Sequence, residues 1–288
     1  MITGSVRPRR PRQWMLALAI AALATAAVPE ARAERIVNSL PFSENFDTNN
    51  YADIVWTSQG ATHTHMPTSG FRGGAAKFTP PNAEGYSGLG QFILGMAQRP
   101  EQLNVRFLIY HGDTWVEYGP GGKLIIMNRE GNRGRPMVIY GDWTTPQGTY
   151  ETLGACDGTV CRYEGGDYWS DGTDSFRIAD PPLGREQEWI SVELEANTTT
   201  GMIRLYIDTI DGEHSGLYIE RPMDDTGPGG IWSYIDIIGG YMNHGANPQH
   251  PENYFMIDEL VIDDEYIGPP DGFVSTTCRA PAATRRAK

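Results

Sequence analysis

Between Trp189 and Asp208 the chain alternates apolar and polar residues strictly enough to settle its local structure. Ile190, Val192, Leu194 and Ala196 interleave with Ser191, Glu193, Glu195 and Asn197. After the turn Asn197-Thr198-Thr199-Thr200-Gly201, Ile203, Leu205 and Ile207 interleave with Arg204, Tyr206 and Asp208. A period of two sends successive side chains to opposite faces, so the segment predicts a hairpin with one oily and one polar face. Such a hairpin needs a second layer to cover its apolar face. Pairing of its arms also sets Glu193 or Glu195 across from Arg204 as a cross-strand ion pair.

Similar strands are expected at Asn104–His111, Lys123–Asn128, Pro136–Tyr140, Leu217–Glu220, Ser233–Met242 and Tyr254–Ile262. Leu124-Ile125-Ile126-Met127 is an unbroken apolar run, suited to a central strand covered on both faces. Glycine and proline are scattered along the chain, and no sustained helical period follows the N-terminal region. The expectation is an all-β fold, a jelly-roll β-sandwich of two antiparallel sheets. No linker marks a second domain, so residues 34–272 read as one domain and 273–288 as a flexible basic tail. Gly141–Glu188 shows little strand pattern but carries Trp143, Tyr150, Tyr163, Tyr168 and Trp169, the profile of a long functional loop.

The N-terminal region reads as a secretory signal peptide, residues 1–33. Arg7, Arg9, Arg10 and Arg12 precede an apolar run from Trp14 to Val28, and Ala31-Arg32-Ala33 is a small-x-small cleavage site before Glu34. The twin Arg9-Arg10 is followed by Pro11 and Arg12, which favours the general export route. The expected location is secreted or periplasmic, with no membrane association after cleavage. The full chain has 23 Lys+Arg against 36 Asp+Glu. Removing five Arg and one Glu leaves 18 against 35, a balance of −17. That field repels nucleic acid and anionic membranes at long range.

Cys156 and Cys161, in CDGTVC, suit a small disulfide-closed loop in an oxidising compartment; a bridge from either to Cys278 is the other possibility. No histidine or fourth cysteine stands at zinc-ligand spacing nearby.

Four segments carry a family resemblance: Phe42–Asp47 (FSENFD), Asn104–Lys123 (NVRFLIYHGDTWVEYGPGGK), Glu188–Asp208 and Tyr254–Gly268 (YFMIDELVIDDEYIG). Together they resemble strands of the concanavalin A-like lectin/glucanase superfamily over most of residues 41–268. That superfamily holds polysaccharide lyases, glycoside hydrolases, lectins and carbohydrate-binding modules, so the resemblance implies a jelly roll and a sugar partner without naming the chemistry. The E-x-D-x-x-E strand of its laminarinase-like hydrolases is absent, as are the R-x-E-L, Q-[IV]-H and Y-x-K-x-G-x-Y-x-Q motifs of its alginate lyases. The resemblance also implies a structural Ca2+ where first and last strands meet, for which Glu44, Asp47 and Asp258 are the candidate ligands.

A β-eliminating lyase needs a group that neutralises a uronate carboxylate and a base for the neighbouring ring proton. Arg204 and Tyr206, two apart on one strand face, are the leading pair, with His111 and Tyr241 as further catalytic candidates. Lys123, Glu193 and Asn243 are candidate sugar ligands, and Trp143 and Trp169 candidate stacking faces. His63 and His65 share a strand face but lack a third metal ligand. The expected function is a secreted carbohydrate-active protein, a polysaccharide lyase acting on a uronic-acid glycan. A non-catalytic lectin-like binder of polysaccharide or oligosaccharide is the second expectation, and a structural or adhesive surface protein the third.

Overall fold

A computed structural model describes residues 35–57, 62–79, 91–112, 122–129, 135–140, 151–157, 160–163, 166–167, 185–222, 232–237 and 254–273. The chain divides after Arg32, and every described residue belongs to the unit Ala33–Lys288.

Alternation translates directly into strands. In chain order these are Arg35–Val37 (β1), Phe42–Glu44 (β2), Val55–Trp56 (β3), Thr62–Gly70 (β4), Gly73–Thr79 (β5), Gln91–Met96 (β6), Gln102–His111 (β7), Gly122–Arg129 (β8) and Arg135–Tyr140 (β9). There follow Glu151–Asp157 (β10), Val160–Tyr163 (β11), Gly166–Asp167 (β12), Trp189–Asn197 (β13), Met202–Thr209 (β14), Leu217–Pro222 (β15), Trp232–Ile237 (β16) and Phe255–Asp263 (β17). One sheet runs β1-β6-β16-β8-β9-β10-β11-β12, with β3 also on β6; the other runs β15-β14-β13-β7-β17-β5-β4, with β2 also on β17. All pairings are antiparallel except β1 with β6.

The hairpin expected at Trp189–Asp208 is β13–β14, paired from Ile190↔Thr209 to Asn197↔Met202. Its oily face, Ile190, Val192, Leu194, Ala196, Ile203, Leu205 and Ile207, is buried among Leu103, Val105, Phe107 and Ile109 of β7. The first sheet contributes Phe92, Leu94, Ile125, Met127, Ile235 and Ile237 to the same core. The fold is thus a two-sheet β-sandwich. Burying that much aliphatic and aromatic surface, at ~25 cal/mol per Å2, is what holds the layers together. The apolar run Leu124–Met127 does lie in an interior strand, β8, between β16 and β9.

One expectation is corrected. Gly141–Glu188 is not a plain loop, because β10, β11 and β12 extend the first sheet from within it. Glu151–Asp157 (ETLGACD) has no clean alternation, so its strand state comes from pairing with β9, Glu151↔Tyr140 through Cys156↔Arg135. Tertiary pairing overrides weak local propensity in strands more readily than in helices.

Candidate functional site

Strand register lines up side chains in rows across the outer face of the second sheet. One row is Arg204, Glu195, Asn104 and Asp263, and the next is Tyr206, Glu193 and Arg106. The third is Asp208, Ser191, Leu108 and Asp258, and the last Trp189, Tyr110, Met256 and Lys77.

The first three rows form a polar layer that is mostly dry. Asn104, Arg106, Ser191, Glu193, Glu195, Asp208 and Asp258 are all buried. A polar sheet face normally faces water; here the segment after β17 folds back over it. Ile267 and Gly268 donate their N–H groups to the two carboxylate oxygens of Glu193 at 2.9 and 2.8 Å. The Tyr266 ring lies 4.8 Å from that of Tyr206. Arg72 donates to the Asp271 carbonyl, and Phe71 meets Phe273 at 5.3 Å. We refer to residues 264–273 as the strap. Beneath it Asn104 Nδ2 donates to Glu193 at 2.6 Å. Burial raises the Glu193 pKa, and the strap N–H groups and Asn104 oppose that shift. Arg106 pairs with Glu259 at 3.2 Å, where a bulge in β17 puts Glu259 at φ 45°.

Arg204 and Tyr206 come together as expected, but around Glu195. Arg204 Nη1 lies 2.7 Å from Glu195 Oε1, and its Nε donates to Glu220. The Tyr206 hydroxyl donates to Glu195 Oε2 at 2.8 Å. Burial and then that carboxylate raise the Tyr206 pKa well above the ordinary phenol range. Glu193 lies in the neighbouring row, directly opposite Tyr206.

His111 does not join them. It continues the inward series Leu103, Val105, Phe107 and Ile109 of β7, and lies opposite the core residue Phe255. Its Nδ1 lies 3.3 Å from the Arg185 carbonyl, and burial pushes its pKa down to about 3. A neutral imidazole on the far side of the sheet cannot act beside Arg204 and Tyr206, since strand alternation separates them. Tyr241, Asn243, Trp143 and Trp169 lie outside the described residues, and the side chain of Lys123, in β8, does too. Cys156 and Cys161 are direct register partners in the β10–β11 hairpin, with their side chains outside the described set.

The expected calcium ligands each have protein partners. Glu44 pairs with Arg35 at 2.9 Å and accepts the Phe46 N–H, while Asp47 accepts the Gly74 N–H at 3.0 Å. Asp258 accepts the N–H groups of Arg72 and Glu259 at 3.2 and 2.7 Å. Among the described residues no group of three or more His, Cys, Asp or Glu is placed to hold a metal ion. His63 and His65 face inward, toward the Tyr51 hydroxyl at 3.1 Å and the Phe46 carbonyl at 3.0 Å.

The fourth row is different in kind. Met256 in it is buried, whereas Trp189, Tyr110 and Lys77 are only half-buried, as is Tyr254, two residues before Met256 and beside Tyr110; Trp189, Tyr110 and Tyr254 make up the aromatic row. The rings of Trp189 and Tyr110 lie 5.4 Å apart, and Tyr110 and Tyr254 are near-parallel at 17° with centroids 6.4 Å apart. Lys77 Nζ sits 3.7 Å from the Tyr254 ring centre, and burial lowers its pKa. These are aromatic faces on the polar side of a sheet, beside charged groups. The approach of Trp189 is fixed by Arg185, whose guanidinium holds Glu188 at 3.5 Å, Asp211 at 2.8 Å and Glu213. Gln187 takes φ 56° and donates its N–H to the His111 carbonyl. A signal for this row exists in the sequence: Trp189 shares the parity of Ser191 and Glu193, and Tyr110 that of Arg106.

No family model matches the chain, and no curated protein matches it. Among solved structures, it is similar to the CBM2 module of the evolved Dit of Lactobacillus casei BL23 phage J-1, at 11% identity and TM-score 0.48, covering 78% of this chain and 96% of that one. It is similar to an alginate lyase at 13% identity and TM-score 0.44, covering 77% and 96%. A third likeness is to the receptor-binding domain of botulinum neurotoxin mosaic serotype C/D, at 13% identity and TM-score 0.42. That match covers 74% of this chain and 43% of the toxin chain, so the chain spans less than half of that domain's length. At these identities the likenesses transfer neither ligand nor activity to this chain.

Proposed function

We propose that this protein is a non-catalytic carbohydrate-binding β-sandwich that holds sugar on the row Trp189, Tyr110 and Tyr254. The observation that carries this is the row itself: three half-exposed aromatic rings side by side on the polar face of the second sheet. Sugar rings present C–H faces that stack on aromatic planes, and their hydroxyls suit flanking groups such as Lys77 and Glu188. Titration with neutral disaccharides, read by tryptophan fluorescence and calorimetry, tests it. Trp189→Ala should weaken binding at least tenfold, about 1.4 kcal/mol, with the fold intact. Equal affinity of the variant and the parent would remove the row from the site.

Elimination on a uronic-acid glycan has weaker support. It requires Tyr206 to lose its proton, and both burial and Glu195 hold that proton in place. Arg204 is engaged by two carboxylates, Glu195 and Glu220. Ultraviolet absorbance of an unsaturated product, developing on incubation with a uronate panel, would reinstate the lyase. We also propose export with cleavage before Glu34, which N-terminal sequencing of the mature protein checks.

A further inference from the structure

The dry polar layer under the strap is the least expected feature of the molecule. Its carboxylates, amide and guanidinium are the groups that bind sugar hydroxyls, and they adjoin the aromatic row through the Asp208–Ser191–Leu108–Asp258 row. Glu193 lies four residues along β13 from Trp189, roughly 14 Å at strand rise. Both its oxygens are capped by adjacent N–H donors, Ile267 and Gly268. Two neighbouring hydroxyls of a sugar ring present the same pair of donors.

The strap is held locally. No residue from 264 to 273 belongs to the main core cluster; Phe273 packs on Phe71 instead. Asp264, Glu265, Asp271 and Gly272 are exposed. Its holds include the Tyr266–Tyr206 ring contact, the two N–H bonds to Glu193 and the Arg72 bond to the Asp271 carbonyl.

We propose that the strap occupies a cryptic extension of the sugar-binding face, and that a longer neutral glycan displaces it by putting vicinal hydroxyls on Glu193 in place of the Ile267 and Gly268 N–H groups. This rests on the aromatic row being a sugar site. The exchange is donor for donor, so Glu193 remains an acceptor of three hydrogen bonds, that from Asn104 being kept. A uronate does not fit, because its carboxylate would face Glu193 and Glu195 in a poorly solvated layer. The covered state lowers apparent affinity by the fraction of molecules in which the face is open. Short ligands that reach only Trp189 and Tyr110 escape that reduction.

The test uses the full mature chain with three probe pairs: the disaccharides and hexasaccharides of β-1,4-glucan, β-1,3-glucan and β-1,4-mannan. Hydrogen exchange should show the amides of Ile267 and Gly268 protected in the free protein and with disaccharide, and released with hexasaccharide. Tyr266→Ala, which loosens the strap and leaves the aromatic row in place, should raise hexasaccharide affinity at least fivefold and leave disaccharide affinity unchanged. A hexasaccharide that binds while both amides stay protected, or an unchanged affinity in Tyr266→Ala, overturns the cryptic extension alone. Failure of every disaccharide to bind overturns the aromatic row as a sugar site, and the extension with it.

Discussion

Asp258 offers the sharpest physical test of the polar layer. Its side chain is fully buried, and it has no ion pair among the described residues. Burial, the largest cause, pushes its pKa from 3.8 up to about 6 against the opposing N–H bonds from Arg72 and Glu259. The folded-state value exceeds the unfolded one, so folding takes up a proton between these limits. The resulting stabilisation is complete below pH 3.8 and is lost as pH rises through about 6. Its full size is about 3 kcal/mol, of which about 2–3 kcal/mol disappears between pH 4 and 7.5. Asp258→Asn keeps the neutral shape and removes the titration. The parent should therefore lose about 2–3 kcal/mol relative to the variant over that range, a change in Tm difference of roughly 5–10 °C for a domain this size. Calorimetric melts of both proteins at half-unit pH steps measure it, and carboxylates common to both cancel in the difference. Parallel Tm curves, or a parent that gains on the variant as pH rises, would refute the assignment.

Other consequences are more direct. Arg35→Ala strips the cation from buried Glu44, and also the bonds to Asp53 and the Asn50 carbonyl, so urea denaturation should show a loss of about 1–3 kcal/mol. Phe107→Ala empties a fully buried position at the centre of β7 and should cost about 3–5 kcal/mol by the same assay. We propose that Glu44, Asp47 and Asp258 take part in the structural calcium site expected at the first and last strands, so Tm should climb with millimolar calcium. A Tm unchanged by calcium would remove the ion.

Much of the framework could be read from residues alone. The β13–β14 hairpin, its two faces and the Glu195–Arg204 pair follow from alternation, and the structure adds only the choice of Glu195 over Glu193. Strands β7, β8, β9, β15 and β17 fall within a few residues of their expected ends. Expected strand Ser233–Met242 is described only through Ile237. The β10–β12 extension was not legible, because Glu151–Asp157 has no period of its own and becomes a strand by pairing with β9. For the site, the shared face of Arg204 and Tyr206 follows from their spacing of two, whereas the inward side of His111 follows from its parity with the core residues Val105, Phe107 and Ile109 of β7.

Local order in this protein was therefore set by the residues themselves: which segments are extended, and which face of each is oily. Those properties depend on neighbours one or two positions apart, and a period of two records them fully. Only tertiary structure decided that the strap would cover the middle of the polar face and leave the Trp189 row open. That outcome depends on Ile267 and Gly268 reaching Glu193, more than seventy residues away in the chain. No local pattern encodes such a contact, because its free energy exists only once both sheets are stacked and the carboxylate is already out of water.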